Sequence, residues 1–186
     1  MAVASDNFNR ADENPLSGGG NWVQMGTHVQ IKLVTNQVTG ASVAYCLQRW
    51  TTSTWASDQS SEMTMTNSPG DGVGCAVRCS ASAVDLYSGQ GWTAASQIKK
   101  WVTDLDTNLA QNTTAWGNTD VIKVDVTGTT ITIFRNGVSD LSTTDTALTA
   151  GTPGIQIFGT TNTADTWSAV DVPVSVGDVG SYVFTG

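Results

Sequence analysis

What this sequence has little of rules out most active-site chemistries before any element is placed. Histidine occurs once, as His28, and glutamate only as Glu13 and Glu62. A Ser-His-Asp triad would have to use His28 within the alternating run 27–32, where a lone strand histidine is structural or merely exposed. Three cysteines, Cys46, Cys75 and Cys79, leave at least one unpaired, and with a single histidine they lack the paired spacing of a zinc site. In one extended strand Cys75 and Cys79 stand about 13 Å apart, too far to bridge. All three read as small buried hydrophobes.

Basic residues are also scarce, 8 Lys and Arg against 16 Asp and Glu, for a net charge of −8. Neutralising nucleic-acid phosphates takes clustered cations, and the only adjacent pair, Lys99-Lys100, reads as a solvated strand position and its neighbour. No nucleic-acid partner is expected. No stretch approaches the roughly 20 apolar residues of a membrane span, so no membrane partner is expected either. Met1-Ala2-Val3-Ala4-Ser5 has neither the basic nor the apolar region of a secretion signal. Helix formers are thin throughout, and no Pro-, Ser- or charge-rich linker divides the 186 residues, which are expected to form one domain over 1–186.

What is present is period-two alternation. Val121-Ile122-Lys123-Val124-Asp125-Val126 and Thr130-Ile131-Thr132-Ile133-Phe134 each bury one face and wet the other, joined by a tight turn at Thr127-Gly128-Thr129. Asn136-Gly137 supplies the two positive-φ residues of a type I′ hairpin turn, so a second hairpin follows. Further strands are expected at 21–25, 27–34, 43–47, 62–66 and 73–79, with Gly26 separating the first two. Turn clusters stand at Ser17-Gly18-Gly19-Gly20, Ser68-Pro69-Gly70-Asp71-Gly72 and Ser88-Gly89-Gln90-Gly91. Residues 94–102 admit a short helix, but Gln97-Ile98-Lys99-Lys100-Trp101-Val102 fits better as a strand ending at an Asp104-Leu105-Asp106-Thr107-Asn108 turn. The expected fold class is all-β, an antiparallel two-sheet sandwich of jelly-roll type.

A further set of residues carries a resemblance. Asp6-Asn7-Phe8-Asn9-Arg10-Ala11-Asp12, followed by Pro15-Leu16 and Asn21-Trp22, resembles the opening of concanavalin A-like, laminin-G-like jelly-roll modules. The C-terminal half is similar through residues 124–137, Thr144-Asp145, Gly151-Thr152-Pro153-Gly154-Ile155 and Ala164-Asp165-Thr166-Trp167-Ser168. Such modules occur in bacterial surface proteins, carbohydrate-active enzymes and phage virion proteins. The resemblance implies that first and last strands pair, setting Phe8 beside the Trp167 strand, with Asp6, Arg10 and Asp165 available to tie them by charge-assisted hydrogen bonds. Gly151 and Gly154 read as turn positions around Pro153.

Glycosidases of this resemblance work with two glutamates on one strand, and this chain departs from that pattern, because Glu13 stands in an expected loop and Glu62 is alone on its strand. The nearest aspartate pairs are Asp104 with Asp106, in the expected turn, and Asp120 with Asp125. No catalytic residue is assigned and the chain is not expected to be an enzyme. Asp104-Leu105-Asp106-Thr107-Asn108 begins like an oxygen-ligand loop, but Leu109 replaces the glycine of an EF-hand and Ala115 its terminal glutamate. A sandwich-type calcium site using backbone carbonyls is the one cofactor left open; otherwise none is expected.

Seven tryptophans exceed the needs of a sandwich core. Trp22, Trp101 and Trp167 sit in strand contexts. Trp50, Trp55, Trp92 and Trp116 stand beside loop-like segments, and exposed aromatic rings there would stack on sugars or anchor an interface; the alternative is that they cap the ends of the sandwich. These four are the expected ligand- or partner-binding residues. The leading expectation is a non-enzymatic phage virion surface protein, a capsid decoration or host-attachment module, made in the host cytoplasm and bound to itself or to other virion proteins. The alternative is a free carbohydrate-binding module, extracellular or at the cell surface, that holds a glycan through the loop tryptophans.

Overall fold

The computed structural model describes residues 1–67 and 72–172, so the turn expected at Ser68-Pro69-Gly70-Asp71 and the end of the 1–186 domain lie outside the described residues. In chain order the strands begin with β1 (Val3–Asp6), β2 (Trp22–Gln24), β3 (Ile31–Val34), β4 (Gln37–Gly40) and β5 (Tyr45–Trp50). Next come β6 (Gln59–Asn67), β7 (Val73–Cys79), β8 (Leu86–Trp92), β9 (Ala95–Val102) and β10 (Leu105–Asn112). The last five are β11 (Val121–Thr127), β12 (Thr130–Arg135), β13 (Val138–Thr144), β14 (Thr152–Phe158) and β15 (Thr163–Asp171). They form two antiparallel sheets. The first runs β13-β12-β11-β6-β15-β4-β3 with β1 also on β15, and the second runs β10-β9-β8-β7-β14-β5-β2.

Alternation decides which side chains meet between the sheets. Ile122, Val124 and Val126 of β11 and Ile131 and Ile133 of β12 are fully buried, while the residues between them face out. The turn linking β12 to β13 has Asn136 at φ 51° and Gly137 at φ 80°, the geometry expected of Asn-Gly. The terminal strands close the first sheet, with Ser5 opposite Ser168 and Asp6 opposite Trp167. At that seam Trp167 packs 4.6 Å from Trp22 and 5.0 Å from Trp50 between ring centroids, and Phe8 lies 6.4 Å from Trp22. Asp6 binds Arg10 at 2.6 Å and the Trp22 indole at 2.8 Å, whereas Asp165 caps the Thr166 amide and does not join the tie expected of it.

Several expected turns prove to be strand interior, for steric reasons. Ser88-Gly89-Gln90-Gly91 lies within β8. A Cβ on Gly89 would stand 2.5 Å from Val124 Cγ2, and one on Gly91 would stand 2.5 Å from the Trp116 ring. These glycines let the facing sheet and a tryptophan approach the backbone. Gly154 lies inside β14, where a Cβ would meet the Gln48 carbonyl at 2.5 Å. The expected 104–108 turn shrinks to Thr103 and Asp104, both at positive φ, and β10 begins at Leu105. At the other end of the second sheet β5 starts only at Tyr45, so Val43 is left outside it and exposed.

Residues 97–102 are strand, within β9. The three cysteines are buried and form no disulfide, and burial pushes the Cys75 thiol far up and the Cys79 thiol to about 12, so both stay protonated hydrophobes. Among the described residues no helix is long and apolar enough to cross a membrane.

Candidate functional site

The outer face of the second sheet carries the chemistry that the sequence hid. Strand register aligns Gln156 of β14 with Gly74 of β7, Gly74 with Gln90 of β8, Gln90 with Gln97 of β9, and Gln97 with Gln111 of β10. The four amides form one chain. Gln156 donates to Gln90, Gln90 donates to Gln97 at 3.0 Å, and Gln97 donates to Gln111 at 3.1 Å. Asn108 adds a donor to Gln111 at 3.2 Å. Gly74 is the gap that lets Gln156 reach across β7, since a Cβ there would lie 3.0 Å from that of Gln90. One end of the chain is buried, with Gln156 at 1% and Gln90 at 2% exposure, and the other end opens at Gln97 and Gln111.

Aromatic rings flank this strip. Trp92 is the last residue of β8, half-buried, on the same face as Gln90: a Cβ on Gly72 would touch both, 3.5 Å from Gln90 Cβ and 3.6 Å from Trp92 Cε3. On the far side Tyr45 packs edge-on against Trp101 at 5.3 Å and Phe158 at 4.9 Å, and His28 stands against Trp101 at 5.2 Å. Trp101 joins Met25, Leu47, Ala76 and Leu86 in a second apolar cluster that fills this half of the face. Lys99 crosses between the halves, donating to Asp106 at 2.5 Å and to the Tyr45 hydroxyl at 2.9 Å. Burial alone would lower its pKa, but Asp106 and Tyr45 outweigh that and raise it, so the ammonium persists. Gln156 Oε1, Ser88 Oγ and Trp101 Nε1, all buried on this face, have no hydrogen-bond partner among the described residues.

The carboxylates here are committed. Asp106 is held by Lys99 and Asp104 by His28, so the nearest aspartate pair is engaged on both members. Asp120 is spoken for by Arg135, Asn136 and the Gly117 amide, and its partner in the other pair, Asp125, accepts from Thr127. Glu13 is clamped by Arg10 and by the amides of Ser17 and Gly18; partial burial would raise its pKa, but these bonds hold it down at about 2. Glu62 lies on the opposite sheet, so the two glutamates do not meet. Among the described residues no group of three or more His, Cys, Asp or Glu side chains is placed to hold a metal ion.

Three of the four expected loop tryptophans are corrected by their burial. Trp50 is the inward end of β5 and packs on Trp22 and Trp167. The alternation that buries Cys46 and Gln48 simply runs on to it. Trp55 leaves from a loop, but its ring folds under that loop and its indole donates to Thr52 O. Trp116 fills the space above Gly91, with its indole on Ser96 Oγ at 2.7 Å. Only Trp92 remains accessible beside the amide chain. Sequence reasoning missed the glutamines. Gln90 and Gln97 stand symmetrically about the two-residue turn at Thr93 and Ala94, which is a legible hairpin signal, but a bulge between Asn108 and Ala110 shifts Gln111 by one place and conceals its partner.

No protein-family model matches the chain, and a search of curated proteins found no match. Solved structures do resemble it. The carbohydrate binding module CBM66 from Bacillus subtilis superposes with a TM-score of 0.65 at 14% identity, over 78% of this chain and 91% of that one. A β-1,3-1,4-glucanase from a mouse hindgut metagenome gives 0.59 at 10% identity, over 92% and 99%. The VIP36 exoplasmic/lumenal domain, in its Ca2+/Man3GlcNAc-bound form, gives 0.58 at 13% identity, over 84% and 85%. The protein is thus an all-β, two-sheet sandwich of concanavalin A-like jelly-roll fold. That fold is shared by binders and enzymes alike, so function rests on the site.

Proposed function

We propose that the protein is a non-enzymatic glycan-binding sandwich that holds neutral sugar through Trp92 and the open end of the amide chain, Gln97, Gln111 and Asn108. The observation that carries this reading is the chain itself. An amide both donates and accepts, as sugar hydroxyls do, and a side chain already fixed by its neighbour loses little entropy on binding. Trp92 supplies the flat apolar surface on which a pyranose ring stacks. From Trp92 to Gln111 the strip crosses three strands, about 10 Å, which is the span of a disaccharide. Similar structures that are a carbohydrate binding module and a Man3GlcNAc-bound domain support the same class of ligand.

Binding rather than hydrolysis is favoured because a retaining glycosidase needs two free carboxyls about 5 Å apart, and Asp104 and Asp106 are each engaged. Such a module works outside the cell or at its surface. The strip is a ready-made polar ligand face whether or not the protein is mounted on a particle, which favours glycan binding over a virion role. Of the four tryptophans beside loop-like segments, Trp92 is the binding residue, and Trp50, Trp55 and Trp116 belong to the core. No calcium is invoked, because the amides and the indole meet a sugar directly. A glycan array is the test. Wild type is expected to bind neutral glycans with or without calcium, and Trp92→Ala and Gln97→Ala to lose at least tenfold in affinity with the fold intact. Unchanged binding by both variants would remove this site.

A further inference from the structure

On the opposite side of the molecule, the outer face of the first sheet holds a groove of about 400 Å³ that the glycan strip does not explain. It opens where β15 parts from β6. Asp165 pairs with Thr64 and Ser168 with Glu62, so Thr166 and Trp167 together stand against the single residue Met63 of β6, and the strand bulges away. Thr166 sits at φ 49°, the left-handed region that a β-branched residue rarely adopts. Of the described non-glycine residues at positive φ, only Thr166 and Arg78 lie inside strands. Arg78 is fixed there by guanidinium bonds to three carbonyls, of Ser57, Leu148 and Gly128. Thr166 has only the neighbouring Asp165 carboxylate and the Thr64 hydroxyl. Strain of this kind persists where the shape it makes is used.

The groove contains one uncommitted ionisable group. Among the described residues the Glu62 side chain has no hydrogen-bond or ion-pair partner, although it lines the cavity with Ser5, Thr64, Thr166 and Ser168. Lys123, directly opposite on β11, turns its ammonium onto the Phe134 ring at 4.1 Å instead. A half-buried carboxylate in a groove also lined by four hydroxyl-bearing residues offers two strong acceptors and several groups that donate or accept. We infer that this groove is a second binding site, for a single neutral hexose-sized polyol whose vicinal hydroxyls bridge the Glu62 carboxylate. Its volume falls in the range of small-ligand sites. It is independent of the amide strip, being built on the other sheet.

The test is amide chemical-shift titration of the full chain with a panel of free hexoses, including glucosamine as the cationic comparison. The expected result is saturable shifts at residues 5–7, 62–64 and 166–168 for at least one neutral hexose. These should weaken at least tenfold in Glu62→Gln, which keeps the side chain's size, and persist in Trp92→Ala. The site is overturned if no neutral hexose moves these amides, if Glu62→Gln binds like wild type, or if glucosamine alone binds. Shifts at residues 90–111 report on the amide strip and stand or fall separately.

Discussion

At the scale of single residues, the tryptophans divide by burial. Trp116→Ala removes a buried ring and the indole N–H that Ser96 Oγ accepts, leaving that hydroxyl only its bond to Asp140, so a loss of about 3–5 kcal/mol is expected in denaturant unfolding. Trp92→Ala, at a half-buried position, is expected to cost about 1 kcal/mol or less while affecting ligand binding. Equal costs would mean that Trp92 is as much a core residue as Trp116. Glu13 gives a pH signature. Its folded pKa, about 2, is depressed below the ordinary 4.5. It therefore adds stability that is present above pH 4.5 and is lost as the pH falls through 2. Allowing for solvent screening, that contribution is about 1 kcal/mol. Thermal melts of wild type and Glu13→Gln should differ at neutral pH and converge near pH 2; a constant gap would contradict the clamp.

At the scale of elements, the sequence was most legible where one face is wet. β11, β12 and their Asn-Gly turn follow from alternation and turn chemistry alone, because a strand with one buried face writes that face into every second residue. β8 was illegible for the opposite reason. Both of its faces are covered, so alternation fades, and its glycines imitate a turn while serving close approach of the facing sheet. Gly89→Ala tests that account. The added methyl would meet Val124 and Ile133, and a loss of about 1–3 kcal/mol is expected from equilibrium unfolding. A neutral result would show that the sheets can part at no cost. The same limit hid the site: amide partners on four strands are set by long-range register and by a bulge, neither of which leaves a local pattern.

At the scale of the whole molecule, the fold was readable from resemblance and patterning, whereas the assignment of exposed aromatics was not. A tryptophan beside Ser and Thr looks loop-borne, yet a sandwich closes its ends with just such rings, as Trp50, Trp55 and Trp116 show. The net charge of −8 sets a further expectation. The accessible strip consists of neutral amides and an indole, so glycan affinity should change by less than about twofold between low and high salt, as uncharged contacts are not screened. A steep salt dependence, measured by titration calorimetry, would instead place binding at a charged patch.

The central claim is that the open end of the amide chain meets sugar. It is tested most directly by following the side-chain amide signals of Gln97 and Gln111 and the indole signal of Trp92 while neutral oligosaccharides are added. The account predicts that at least one oligosaccharide moves all three together, with one shared dissociation constant. If every oligosaccharide leaves these signals in place, the strip is a structural ladder and the glycan-binding assignment is wrong.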